Sequence, residues 1–429
     1  MDEKDGRLLT LAMLALVAGA AAGLIGALFR LVLVQADLLR DRLIAWAHGE
    51  ALLGFALVVV AGAAAALIAA WLVRRFAPHA SGSGIPHVES VLRREMPPAP
   101  YILLPVKFVG GVLAIGSGMA LGREGPSVQM GASIAHFVGT VFRRTWPDLR
   151  VLMAAGAGAG LATAFNSPIA GAIFVLEELV QRFEHRIAIA ALAASTTAII
   201  VARALLGSNP DFAVEPLAQV PPLGQPLFLV LGLVAGLLAV GYNRLLLGGI
   251  ALAERFGRVP VEVRAGLIGA VVAVVAWFAP GLVGGGDVIT QATLSGAVAV
   301  AFLPIAFLVR ALLGSASYAA ATPGGLFAPM LVLGAQLGLL FGAWSAALFP
   351  GLGIPPQAFA VVGMAAFFTG VVRAPLTGIV LIIEMTAAFA MLLPMVGACF
   401  AAMLVPTLLR DMPIYEALRR RTPGGQKKS

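Results

Sequence analysis

The chain has one cysteine in 429 residues, Cys399, and it lies in an apolar run. A disulfide framework and a cysteine-based metal site are therefore excluded. Histidine is nearly as scarce, with only His48, His79, His87, His136 and His185. No two of these have the i, i+4 spacing of a metal-binding helix, and no His-Glu-x-x-His occurs, so no metal site is expected. Charge is short as well: Asp, Glu, Lys and Arg make up 12% of the sequence against 60% hydrophobic residues. The mean hydropathy of +0.96 lies outside the range of soluble domains. An intramembrane enzyme would need a nucleophile with its base, or a metal constellation, inside the apolar runs. None is found, so the sequence is not read as an enzyme.

What remains is a polytopic, all-α integral membrane protein. Apolar runs recur from Leu8–Phe29 to Met391–Leu409, judged by the length needed to span a bilayer. Several are too short or too interrupted to be simple spans, and 50 Gly and 27 Pro imply broken and re-entrant helices. A bilayer tolerates these only where the backbone is buried in protein or lines a cavity. The net charge of +8 comes largely from clusters at run ends: Arg74-Arg75, Arg93-Arg94, Arg143-Arg144, Arg419-Arg420-Arg421 and Lys427-Lys428. By the positive-inside rule these are cytoplasmic anchors rather than nucleic-acid patches. Both termini are expected on the cytoplasmic side of the cell's inner (plasma) membrane. The first run, behind Lys4 and Arg7, lacks a small-residue cleavage site and reads as a retained span.

Two pairs of segments repeat along the chain. Gly122-x-x-x-Pro126-x-x-x-x-Gly131 has the spacing of Gly325-x-x-x-Pro329-x-x-x-x-Gly334, 203 positions later. Pro168-Ile-Ala-Gly171, six residues before Glu177, matches Pro375-Leu-Thr-Gly378, six before Glu384, at an offset of 207. Gly82-Ser83-Gly84 against Gly284-Gly285-Gly286 is a fainter third pair. The expected organisation is a first inverted repeat over 1–207, a polar, Pro-rich hinge over 208–222, and a second repeat with a short tail over 223–429. Paired broken segments of this kind mark secondary transporters, whose site lies at the repeat interface near the midplane.

Arg123 and Glu124 are the only charged residues between Phe108 and Phe142. A carboxylate at membrane depth is costly and by default marks an ion or proton path. Gly122 and Gly125 permit a tight, non-helical backbone there, and Pro126 suits the first turn of a helix. Such a helix aims unpaired N–H groups and its positive dipole end at whatever lies in front, which makes an anion site. Ser81-Gly82-Ser83-Gly84-Ile85-Pro86 repeats that logic with a hydroxyl, although Ser83 is equally placed to be an N-capping serine. Pro323-Gly324-Gly325-Leu326-Phe327-Ala328-Pro329 lies in a tract with no charge between Arg310 and Arg373. Taken alone the stretch reads as a structural kink; an anion held there would rest on backbone amides, those of Leu326 and Phe327 first, and would be free to leave. Tyr415 is placed either as a membrane-interface anchor or as a phenol donating to an ion. Glu177-Glu178 reads either as a solvated helix end or, with Glu124 upstream, as a pair in which one carboxylate faces the aqueous edge and the other the interior, a proton entry point. Lys107, Arg310 and Arg373 either supply a positive field or pair with Glu384 or another carboxylate.

Together, Gly82-Ser83-Gly84-Ile85-Pro86, Gly122-Arg123-Glu124-Gly125-Pro126, Gly325-Leu326-Phe327-Ala328-Pro329 and Tyr415 resemble the CLC family of chloride channels and proton-coupled chloride transporters, over nearly the whole chain. The resemblance implies about eighteen tilted and broken helices per subunit in two inverted repeats, a homodimer in the lipid bilayer, and an ion pore in each subunit. By motif match, Ser83 and Tyr415 hold a central chloride with the amides of Leu326 and Phe327. Glu124 is the gating glutamate, the amides of Arg123 and Gly125 line an outer anion site beside it, and Glu178 is the internal proton-transfer glutamate. Plain channels of the family lack an acid at that last position, so the resemblance implies exchange of two chlorides for one proton, with no cofactor beyond the chloride transported. A passive, voltage- or pH-gated chloride channel is the alternative, followed by a fluoride or nitrate transporter. Nitrate-selective members carry proline where Ser83 stands, and fluoride exporters depart from the motif pattern. His87 departs from the acidic residue that many relatives carry after the Gly-Ser-Gly-Ile-Pro motif. Only some 20 polar residues follow Leu409, too few for the regulatory domains of many eukaryotic members, so a short prokaryotic form is expected.

Overall fold

The computed structural model describes residues 3–421, so Lys427-Lys428 lies outside the described residues. Seventeen α-helices follow one another there. The first eight are α1 (Glu3–Ala47), α2 (Ala51–Phe76), α3 (Ile85–Leu92), α4 (Leu103–Gly116), α5 (Glu124–Val141), α6 (Trp146–Phe165), α7 (Pro168–Phe174) and α8 (His185–Leu206). After an extended linker come α9 (Gln225–Arg255), α10 (Val261–Phe278), α11 (Asp287–Leu294), α12 (Leu303–Ala319) and α13 (Phe327–Leu348). The series ends with α14 (Pro356–Val372), α15 (Pro375–Thr386), α16 (Leu392–Leu408) and α17 (Ile414–Arg421). The count agrees with the expectation of about eighteen. Among the described residues, eight helices are long and apolar enough to cross a membrane. By contrast α3 and α11 have eight residues each and α7 seven, about 12 Å at 1.5 Å per residue and far short of a span. These are the broken elements that the glycines and prolines announce.

Helix contacts are made close by absent side chains. On α5 and α6, Gly131 and Gly156 lie backbone to backbone, and a Cβ on either would overlap the other's carbonyl oxygen. Gly334 on α13 and Gly363 on α14 repeat that arrangement. Close approach through small residues is the usual adhesive between membrane helices, where lipid offers no hydrophobic contrast.

Buried cations repeat as well. Lys107 on α4 is fully buried and its Nζ donates to the carbonyls of Ala80 and Gly82, at 2.9 and 2.7 Å. Arg310 on α12, 203 positions later, donates to Leu282, Gly284 and Gly285 at 3.1, 2.8 and 3.3 Å. Each cation gathers the carbonyls of a glycine loop that leads into a short helix, α3 or α11. Neither pairs with Glu384, and Arg373 instead donates to Asp411 O at 2.7 Å and to Gly370 O. Of the two sequence expectations for these cations, pairing with a carboxylate is replaced by clasping of backbone.

The linker is tied down at Asp211, Phe212 and Ala213. Phe212 N donates to Met385 O at 3.0 Å, and Gln291 exchanges two hydrogen bonds with the Ala213 backbone. Asp211 accepts from Arg30 at 2.6 Å and from Arg123 at 3.4 Å.

Candidate functional site

Three glycine-rich loops meet at the centre and are joined by backbone hydrogen bonds. Gly122 and Gly325, equivalent in the sequence repeat, exchange a pair of hydrogen bonds, N to O at 2.9 and 2.7 Å, in an antiparallel bridge. Gly82 N donates to Thr322 O at 3.0 Å, and Gly324 N donates to Gly82 O at 3.1 Å. The motifs around Ser83, Glu124 and Phe327 are thereby brought to one place, as the sequence expectation requires.

Glu124 opens α5 and is completely buried. Its Oε1 accepts from the amides of Phe327 at 2.6 Å and Ala328 at 3.3 Å, at the start of α13. The first amides of a helix have no partner within it, and the helix dipole adds a positive end there. The carboxylate thus sits as the anion of a helix-terminal anion site. Its second oxygen, Oε2, has no hydrogen-bond partner among the described residues. The amides of Phe327 and Ala328 are the ones that the carboxylate engages. The carboxylate fits because Gly122 and Gly325 have no Cβ: one on Gly122 would overlap both carboxylate oxygens, and one on Gly325 would overlap Oε1. Gly125 packs in the same way against Ser83.

The Phe327 ring is boxed by Phe165, Phe174, Phe368 and Tyr415, with centroids 4.7 to 6.0 Å away. These tilted and edge-on contacts fix the helix start beneath the carboxylate. Tyr415 is completely buried, so it is not an interface anchor. The short helix α17 delivers it: Arg419, one turn on, meets Glu89 on α3 at 3.2 Å and Glu95 at 2.7 Å. Ser83 Oγ and the Tyr415 hydroxyl are both buried and close to one another, and neither has a further hydrogen-bond partner among the described residues. Buried hydroxyls of this kind are rare and call for an acceptor.

Arg123 lies at the edge of the site, with 12% of its side chain exposed. Its guanidinium donates to Asp287 at 2.6 Å and to Ala164 O at 2.9 Å, beside a cavity of about 450 Å³ that also meets Asp37, Arg40 and Gly122. On the other side, Glu178 is buried in a π-helical turn, Val175–Leu179, that continues α7. Such turns re-aim side chains and are frequent at functional sites. Its neighbour Glu177 is spent on structure, accepting from the amides of Leu376 at 3.0 Å and Thr377 at 2.7 Å. The pair is divided as the sequence suggests, although Glu177 caps α15 rather than facing water alone.

Two residues at the site escape the sequence reading. Glu89 is buried within electrostatic reach of Glu178 and is held by Arg93 and Arg419. A lone carboxylate in the apolar stretch after Pro86 was its signal. Tyr318 accepts a hydrogen bond from Ser83 N at 3.4 Å, and nothing local in an apolar helix points to it. Among the described residues no group of three or more His, Cys, Asp or Glu side chains could hold a metal.

Residues 65–407 match the family described as voltage gated chloride channel. The chain is 36% identical over 427 residues to the H(+)/Cl(-) exchange transporter ClcA of Citrobacter koseri, covering 98% of this chain and 90% of that one. It is 37% identical over 417 residues to ClcA of Vibrio parahaemolyticus, covering 96% and 89%. Among solved structures, a slow cyanobacterial Cl-/H+ antiporter superposes with a TM-score of 0.91 at 31% identity, over 97% of this chain and 99% of that one. A eukaryotic CLC transporter shares the fold at a TM-score of 0.83 and 24% identity, over 96% and 74%. Three converging glycine loops, a buried glutamate on a helix start and similarity along nearly the whole length lead to one assignment: the chain belongs to the voltage-gated chloride channel, or CLC, family.

Proposed function

We propose that this protein is a proton-coupled chloride antiporter, exchanging two chlorides for one proton across the membrane. The observation that carries the reading is the Glu124 carboxylate seated on the amides of Phe327 and Ala328. A carboxylate and a chloride are both anions, so they compete for the same N–H-lined pocket. Protonation removes the charge of Glu124 and with it the hold on those amides, so chloride enters as the proton is taken up. That competition links the two flows. Two relatives whose names give H(+)/Cl(-) exchange and a structural neighbour described as a Cl-/H+ antiporter support the same activity.

In this scheme Ser83 and Tyr415 hold a central chloride through their hydroxyls, with amides of Leu326 and Phe327 behind it. The amides of Arg123 and Gly125 flank the outer position that Glu124 occupies. Glu178 hands protons between the inner solution and the path, and the reach of Glu89, Arg93 and Glu416 gives it a charged setting for doing so. The transport unit consists of two inverted repeats, 1–207 and 223–429, joined through 208–222. The bridge between Gly122 and Gly325 supports that division. The protein works as a homodimer in the inner (plasma) membrane with cytoplasmic termini, without cofactor or metal.

Chloride-driven proton movement in liposomes containing the purified protein, at controlled voltage, tests the proposal. Uphill proton transport is expected, abolished by Glu124→Gln and by Glu178→Gln while chloride still passes. Chloride flux without any proton movement in the parent protein would make it a channel.

A further inference from the structure

The loop that carries Ser83 is almost fully tied. Lys107 takes the carbonyls of Ala80 and Gly82, and Gly82 pairs with Thr322 and Gly324. The Ser83 amide is given to the phenol oxygen of Tyr318, near the end of α12, at 3.4 Å. Tyr318 is buried, and its hydroxyl lies against Gly82, where a Cβ would come within 3.0 Å of it.

A phenol accepts through its lone pairs and donates one proton. Among the described residues the hydrogen bond of the Tyr318 hydroxyl is the one it accepts from Ser83. Its proton is therefore uncommitted, next to Ser83 and within electrostatic reach of Tyr415, whose hydroxyls have no committed acceptor. One anion would satisfy all three. Accepting from an amide also polarises a phenol, so the chain from Ser83 N–H through Tyr318 O–H makes its proton a stronger donor. We infer that Tyr318 is a third hydroxyl of the anion site, holding Ser83 by its amide and giving its own proton to the anion.

This inference rests on the reading that Ser83 and Tyr415 hold chloride. It adds a specificity determinant: three O–H donors favour a compact anion such as chloride over a diffuse one such as thiocyanate, because hydrogen bonds to concentrated charge are stronger. Tyr318→Phe keeps the ring and removes only the hydroxyl.

Isothermal titration of the purified full-length chain with chloride and with thiocyanate is the test. For Tyr318→Phe, chloride binding should weaken about tenfold, the scale of one hydrogen bond to a charged group, while thiocyanate changes less. Unchanged chloride binding in a folded Tyr318→Phe protein would overturn the inference, and so would an equal loss for both anions, which a merely structural role predicts. If Tyr318→Phe does not fold, 3-fluorotyrosine at position 318 serves, since its more acidic phenol should tighten chloride binding; no change would count against the inference. A parent protein that binds no chloride, or a Ser83→Ala variant that binds it unaltered, would instead remove the underlying reading of the site.

Discussion

Gly122 decides, by what it lacks, where the Glu124 carboxylate sits. The atoms nearest to a Cβ placed on Gly122 all belong to that carboxylate, the end of a flexible side chain, and none belongs to the backbone. Its backbone is not in the left-handed region, so alanine is conformationally acceptable there. Gly122→Ala should therefore leave the fold intact and push the carboxylate off the amides of Phe327 and Ala328. Each 1.4 kcal/mol of overlap shifts the seated fraction about tenfold, so protons carried per chloride should fall by roughly that factor while chloride flux continues. Flux ratios in liposomes check this. An unchanged ratio would mean that the carboxylate finds room elsewhere in the pocket and that the glycine is not what admits it.

Between elements, two carboxylates are exchanged across the centre. Glu177, just after α7, caps the start of α15 through Leu376 and Thr377. Glu384, near the end of α15, caps the start of α7 through Ile169 at 3.1 Å and Ala170 at 2.8 Å. Each carboxylate satisfies amides that a helix start leaves open and meets the positive end of its dipole. Losing a cap of this type costs about 1–2 kcal/mol, so Glu384→Ala should lower the melting temperature in detergent, with a smaller loss for Glu384→Gln, which keeps an acceptor. A melting temperature unmoved by Glu384→Ala would show that water satisfies those amides equally well. The 207-residue offset that relates these helices was legible in the sequence, because Pro, Gly and Glu recur at fixed spacing in both. The converging loops were legible for the same reason. The reciprocal capping was not, since a repeat says which residues are alike and not which touch. Lys107 and Arg310 show the same limit: their wish for partners follows from burial, but backbone carbonyls are present at every residue and leave no mark in a sequence. Tyr318 is further still from view, an aromatic residue in an apolar helix whose meaning comes only from the loop it meets.

At the scale of the molecule, the linker between the halves borders the site. Asp211 has 3% of its side chain exposed and lies between Arg30 of α1 and Arg123 at the start of α5, while Arg123 also holds Asp287 of α11. Two cations and two carboxylates thus join the linker to elements on both sides of it and fix the guanidinium beside Glu124. Arg74 and Glu262 form another ion pair at 2.9 Å, between α2 and α10, but 63% of the arginine is exposed. Burial decides their weights. An exposed pair contributes about 0–1 kcal/mol, because water screens the charges and long side chains lose entropy. Removing one partner of a buried pair costs about 3–5 kcal/mol, because the remaining charge is stranded; Arg30, 21% exposed, moderates this toward the lower end. Asp211→Ala should therefore lower thermal stability several times more than Glu262→Ala, and added salt should rescue it little, since a desolvated pair is poorly screened. Melting curves of both variants at low and high salt give the comparison. Equal, salt-sensitive losses would mean that the linker hangs free of the site and that Arg123 is placed by Asp287 and the Ala164 carbonyl alone.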